Sequence, residues 1–169
     1  MERIIRKIKP QASMASKRKR VAAYARVSSG KEAMLHSLSA QVSYYSNYIQ
    51  QHSDWEYAGV YADEALTGTK NSRPDFQRLL NDCRAGLIDM IITKSISRFA
   101  RNTVTMLETL RELRQLEVDV YFEEENMHSI GGDGEFMLTI LASYAQAESL
   151  SVSENCKWRI RKRFQAGEI

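Results

Sequence analysis

The chain has 169 residues, 43% of them apolar, which is enough for one domain with a full core. A net charge of +3 selects no partner by itself, but residues 1–20 carry eight Lys/Arg against one Glu, while 21–169 carry 16 against 20. No apolar run makes a signal peptide or a membrane span, two distant cysteines (Cys83, Cys156) suit a reduced compartment, and three scattered histidines (His36, His52, His128) lack metal-ligand spacing, so a cytoplasmic protein without metal or cofactor is expected.

Residues 1–19 read as a basic, disordered tail. An apolar run over 21–27 predicts a buried strand with Ser28 at its carboxyl end. A helix over 38–51 follows, with Val42, Tyr45 and Ile49 on one face, then a second strand over 57–62 and a turn-rich loop over 65–72. Pro74 and Gly86 punctuate a helix over 75–85. The almost continuously apolar run 88–93 predicts a central parallel strand, and a helix over 103–116 with an apolar stripe leads to a strand over 118–122. Gly131, Gly132 and Gly134 mark a turn, with Asp133 as N-cap. From Glu135 to Gly167 no Pro or Gly interrupts the chain, which predicts a helix of more than thirty residues, roughly 50 Å long at 1.5 Å per residue; two shorter helices kinked near 149–153 are the alternative.

The alternation predicts an α/β class: a central, mostly parallel sheet of four to five strands flanked by helices, followed by a long C-terminal helix. Residues 20–130 form the core and 131–169 the helix. The outer half of such a helix must project, and its apolar stripe needs a partner, which favours a dimer. That outer half carries Lys157, Arg159, Arg161, Lys162 and Arg163, suited to phosphate contacts. In open α/β sheets, chemistry gathers beyond the carboxyl ends of the strands, where Ser28, Arg98 and Arg101 all fall.

The candidate chemistry lies in one serine and four arginines: Ser28 with Arg26, Arg73, Arg98 and Arg101. A hydroxyl nucleophile beside several guanidiniums suits attack on a phosphodiester, because Arg neutralises the anion with fixed donors and lowers the cost of the alkoxide. No histidine is placed to complete a Ser-His-Asp arrangement. Surface arginines at a loop-to-helix junction would show the same Arg98/Arg101 spacing. A metal-dependent nuclease could use Asp63, Glu64 and Glu123, Glu124, Glu125 if they converged. A flavodoxin-like nucleotide-binding module would share the sheet, yet no Gly-rich phosphate loop occurs. Tyr44, Tyr45 and Tyr48 have the helical spacing of packing residues, and Trp55 is expected to anchor the start of the second strand.

Four segments in order narrow these alternatives. Residues 24–29 (YARVSS) with 37–41 (SLSAQ), 63–68 (DEALTG) with Arg73 and Pro74, 94–102 (KSISRFARN), and 145–148 (AQAE) resemble the blocks of the serine recombinases, the resolvase/invertase family, over about residues 20–165. The resemblance implies a resolvase-like catalytic domain in which Ser28 attacks DNA to form a 5′-phosphoserine link, leaving a free 3′-hydroxyl. It implies that Arg26, Arg73, Arg98 and Arg101 bind and activate the scissile phosphate, that Tyr24, Gln41, Asp63 and Ser97 support them, and that neither metal nor ATP is required. It implies double-stranded DNA sites as partners, a homodimer through the long helix, and a tetramer in which strands are exchanged and rejoined. It also implies that the arginines converge on Ser28 only in the DNA-bound tetramer. Ser97, where small resolvases carry Asp, and Arg73-Pro74 look more like the large serine recombinases of phages and conjugative transposons. Downstream DNA-binding domains are expected to be missing from this chain, and a catalytically silent, DNA-bound scaffold of the same fold is the non-enzymatic alternative.

Overall fold

A computed structural model of the chain describes residues 17–28, 31–65, 73–99 and 102–165, with the side chains of 28, 31–36, 65, 164 and 165 outside the description. The elements run β1 (Lys19–Ser28), α1 (Lys31–Gln50), β2 (Trp55–Ala65), α2 (Pro74–Arg84), β3 (Met90–Thr93), α3 (Ile96–Phe99), α4 (Thr103–Gln115), β4 (Asp119–Phe122), β5 (Met127–His128) and α5 (Gly132–Gln165). They form one five-stranded sheet in the order β2-β1-β3-β4-β5. Its first three pairings are parallel, and only the short β5 runs antiparallel to β4. The expected α/β class and mostly parallel sheet are therefore present.

Both faces of the sheet are covered, which is why its central strands are apolar without alternation. Ala22, Tyr24, Ile91, Val120 and Phe122 face α2, α4 and the base of α5; Val21, Ala23, Ala25, Met90 and Ile92 face Tyr45 and Ile49 of α1. The chain builds β2 on one side of β1 and β3 on the other, so the strand order reverses at β1. A crevice opens at such a switch point, outside the carboxyl ends of the two strands that flank it. Ser28 closes β1, and α3, bearing Ser97 and Arg98, follows β3.

The strands are pinned at their amino ends by Arg20 and Asp89. The Asp89 carboxylate accepts from the Arg20 backbone N–H (2.8 Å), Nε (2.9 Å) and Nη2 (2.9 Å), while the Asp89 N–H donates to the Arg20 carbonyl. These hydrogen bonds hold the Asp89 carboxyl down at about 2, against 3.8 ordinarily. A depressed folded-state value stabilises the fold above the unfolded value, and that contribution disappears as pH falls from about 4 towards 2. Asp89→Asn is expected to cost about 1 kcal/mol near neutral pH, solvent screening of this half-exposed pair keeping it small, and to flatten the acid limb of stability. Urea unfolding from pH 7 down to 2 measures both.

Several boundaries depart from the sequence reading. α1 begins at Lys31 rather than 38, and β2 runs over Trp55–Ala65 rather than 57–62. Trp55 does anchor the start of β2, stacked on His52 at 3.8 Å. α5 begins at Gly132, so Asp133 sits inside its first turn rather than capping it, and Gly131, at φ +105°, makes the turn instead. The helix then continues through Gln165 as one element, without a break at 149–153. Gly134 lies so close to the β5–α5 turn that a Cβ there would collide with the Ser129 carbonyl. Gly134→Ala is expected to destabilise the fold by about 1–3 kcal/mol, the usual cost of overpacking, read by thermal melting.

Candidate active site

The second sequence block is held by one carboxylate. Asp63, at the carboxyl end of β2 and 4% exposed, accepts from the backbone N–H groups of Asp75 (Oδ1, 3.0 Å) and Phe76 (Oδ2, 2.9 Å). Helix N-termini leave such donors unpaired, and the residue before α2, Arg73, supplies no side-chain cap; Asp63 caps α2 from another strand. Asp75 returns the arrangement by accepting from the Ala62 N–H at 3.0 Å. The two aspartates thus clasp β2 to α2.

The same Asp63 carboxylate accepts a 3.0 Å hydrogen bond from the Tyr24 hydroxyl, which is buried beneath α2. That hydroxyl in turn accepts from Arg73 Nε (3.0 Å) and Nη2 (2.8 Å). Nη2 also donates to the Phe99 carbonyl at 2.6 Å, and the guanidinium lies over the Phe76 ring, 3.8 Å from its centroid. Burial pushes the Tyr24 hydroxyl up to about 12, against the opposing pull of Arg73, so it remains a neutral bridge between the Asp63 carboxylate and the Arg73 cation. Arg73 therefore joins β1, α2 and the end of α3.

The third block sits opposite. β3 ends at Thr93; Ser95 is buried and shares a 3.0 Å hydrogen bond with the exposed Ser97 hydroxyl. Arg98 is exposed, and among the described residues no hydrogen bond or ion pair engages its guanidinium. The β4–β5 turn grips this loop: the Glu123 and Glu124 N–H groups donate to the Thr93 and Lys94 carbonyls, Glu124 pairs with Lys94 at 3.8 Å, and Glu125 accepts from the Ile96 N–H at 3.3 Å. Arg26 follows Tyr24 by two residues on β1 and pairs in register with Asp63. Ser28 pairs in register with Ala65; its side chain and Arg101 lie outside the described residues, so the convergence of the arginines on Ser28 does too.

Of the supporting residues, Tyr24 and Asp63 join Arg73 in one bonded network. Gln41 does not: its amide donates to Ser37 at 3.2 Å, lining a hollow of about 420 Å³ with Tyr44, Tyr45, Lys94 and Glu123. The basic residues Lys157, Arg159, Arg161, Lys162 and Arg163 are all exposed on the outer half of α5, with Lys162 4.5 Å from the ring centre of Trp158. Sequence reasoning missed Phe76, Asp75 and the Phe99 carbonyl. The visible signal was an aromatic residue three positions after Arg73, at a helix start, where one turn brings the two together.

Of the carboxylates available to a metal-dependent nuclease, Asp63, Glu123, Glu124 and Glu125 each have a partner among the described residues. Asp63 faces Tyr24 and α2, Glu123 accepts from Tyr44 at 2.9 Å, and Glu124 and Glu125 hold Lys94 and Ile96. They point at different partners instead of one centre.

Comparison with known proteins agrees with this geometry. The family model described as the resolvase N-terminal domain matches residues 21–169. The chain is 30% identical over 101 residues to the Tn3 resolvase of Escherichia coli, an alignment covering 57% of this chain and 54% of that protein. The chain thus spans about half the length of that curated relative. A resolvase-family site-specific recombinase from Streptococcus pneumoniae superposes with a TM-score of 0.68 at 26% identity, over 85% of this chain and 99% of the other. The N-terminal catalytic domain of TP901-1 integrase shares the fold, with a TM-score of 0.55 at 24% identity over 78% and 97%. With the sheet order, the long terminal helix and the family match in agreement, the chain belongs to the family of resolvase N-terminal domains, the serine recombinases.

Proposed function

We propose that this chain is the catalytic domain of a serine-type site-specific DNA recombinase, of the kind carried by mobile elements. Ser28 Oγ attacks a DNA phosphodiester, an O–P bond forms, and the bond to the 3′ oxygen breaks, leaving a 5′-phosphoserine and a free 3′-hydroxyl. The bond energy stays in the phosphoserine, so the 3′-hydroxyl of an exchanged strand restores the phosphodiester without ATP. Arg26, Arg73, Arg98 and Arg101 neutralise the phosphate and the charge that develops on it. The observation that carries this reading is Arg73, fixed by Tyr24 and Phe99 beside the crevice where β1 ends and the third block begins.

Two copies pair through the apolar residues of α5 left in solvent, including Phe136 (66% exposed), Tyr144 (63%) and Leu150 (59%), and two dimers meet to exchange strands. The basic outer half lies against the DNA backbone, a contact that fixes position without reading sequence.

The test joins the chain to a DNA-binding domain of defined target and resolves cleavage products, in EDTA, on a denaturing gel. A covalent adduct at the 5′ end is the expected product. Cleavage that requires Mg²⁺ and leaves no adduct would overturn this reading in favour of carboxylate chemistry. No adduct and no cleavage, with the tetramer formed, would favour the silent scaffold. In the same assay Arg98→Ala is expected to slow cleavage by about 10²–10³, the usual loss for one preorganised donor, with thermal stability unchanged because the side chain is exposed and no partner among the described residues holds it.

A further inference from the structure

A guanidinium has five N–H donors. In Arg73, Nε and one Nη2 hydrogen reach the Tyr24 hydroxyl, and the second Nη2 hydrogen reaches the Phe99 carbonyl. Two donors, both on Nη1, have no partner among the described residues. The Tyr24 hydroxyl is saturated as well, since it accepts twice from Arg73 and gives its only hydrogen to Asp63. Asp63 is locked by the two α2 N–H groups, and the Phe76 ring, 3% exposed, covers one face of the guanidinium. Every group in the slot therefore has its position set by a partner other than DNA.

We propose that Tyr24 and Phe76 are positioning residues for Arg73, forming a preassembled guanidinium slot that commits the Nε–Nη2 edge to the protein and presents only Nη1 to the scissile phosphate. The inference rests on the recombinase reading for its consequence in cleavage, but the slot is a property of the free chain. Its chemistry separates Arg73 from an ordinary phosphate-binding arginine, which offers a fork of two parallel donors. Here the fork is turned inward and a single nitrogen faces out. A lysine serves both sides poorly, because its single nitrogen would have to lie within reach of Tyr24, Phe99 and the phosphate at once, with no planar fork to hold it there.

Two measurements test this. The first needs no DNA: the ¹⁵N-labelled chain is examined for an arginine Nε–H that exchanges slowly with water and disappears in Arg73→Lys. That resonance is expected in the wild type, in fast exchange in Tyr24→Phe and Phe76→Leu, and still protected in Tyr61→Phe. The last variant removes another buried tyrosine hydroxyl, bonded to Asp82 away from Arg73, and so controls for lost stability. An Arg73 Nε–H that exchanges as fast as exposed arginines in the wild type overturns the slot.

The second is single-turnover cleavage by the chain joined to its DNA-binding domain. Tyr24→Phe is expected to lower the rate at saturating protein by about 10–100-fold, as loss of an orienting partner does, with the concentration dependence unchanged. Arg73→Lys is expected to be as slow as Arg73→Ala. A Tyr24→Phe rate equal to wild type overturns the positioning role. An absent adduct in wild type, with Arg73 still protected, instead sinks the recombinase reading: the slot then stands and its part in cleavage falls.

Discussion

Ser28→Ala is expected to abolish the covalent protein–DNA adduct and to lower strand cleavage by more than about 10⁴, the scale on which loss of a nucleophile exceeds loss of a supporting donor. On the proposed mechanism the substitution deletes the atom that forms the new bond to phosphorus while leaving the arginines to bind the phosphate. Binding to the target should therefore persist. Among the described residues of the slot nothing can activate water in place of the serine: Arg73 is a donor only, and the Tyr24 hydroxyl beside it is pushed up to about 12 by burial. Comparing Ser28→Ala with wild type in EDTA, by denaturing gel and by mobility shift, separates the two effects. An adduct that survives the substitution would transfer the nucleophile to another residue and end the role assigned to Ser28.

Asp63→Ala should instead act on the fold. Removing this carboxylate strands the Asp75 and Phe76 N–H groups and the Tyr24 hydroxyl in a buried site, and deprives the Arg73 cation of the negative charge it approaches through Tyr24. Leaving a buried polar network half-satisfied costs about 3–5 kcal/mol. For a domain of this size that lowers the melting temperature by roughly 10 °C, measurable by calorimetry. Asp63→Asn keeps the shape and one acceptor, and its loss should fall between alanine and wild type. If Asp63→Ala melts with the wild type, the network does not hold α2 in place.

The pattern of these two effects follows what could be seen in the sequence. Apolar runs over β1 and β3 exposed the parallel sheet, because strands buried on both faces leave no alternation to misread. The start of α1 at Lys31 escaped notice, although Met34 and Leu38 carry the spacing of Val42, Tyr45 and Ile49 back towards it. The four residues of α3 are too few for any period to register. At the site, the motif residues Tyr24, Asp63 and Arg73 were legible from their blocks, but not their bonding. Asp63 caps a helix that begins eleven positions later, and no local rule reports a cap supplied from a neighbouring strand. Nor does sequence show a backbone carbonyl such as that of Phe99 acting as a ligand. Gln41 shows the converse: a motif position whose amide, among the described residues, bonds Ser37 one turn away.

The unbroken run of α5 makes it a lever. Met137 is buried and Leu138 and Leu141 pack against the core, whereas residues 148–163 are exposed along their whole length. A rigid rod of about twenty residues beyond its last support reaches some 30 Å. A tilt of about 10° at the fulcrum would carry its tip through roughly 5 Å. Small repacking where Gly134 meets the Ser129 carbonyl is thereby amplified at the basic end, which in the proposed DNA contact would couple the register of the protein on DNA to the geometry at the root of the helix.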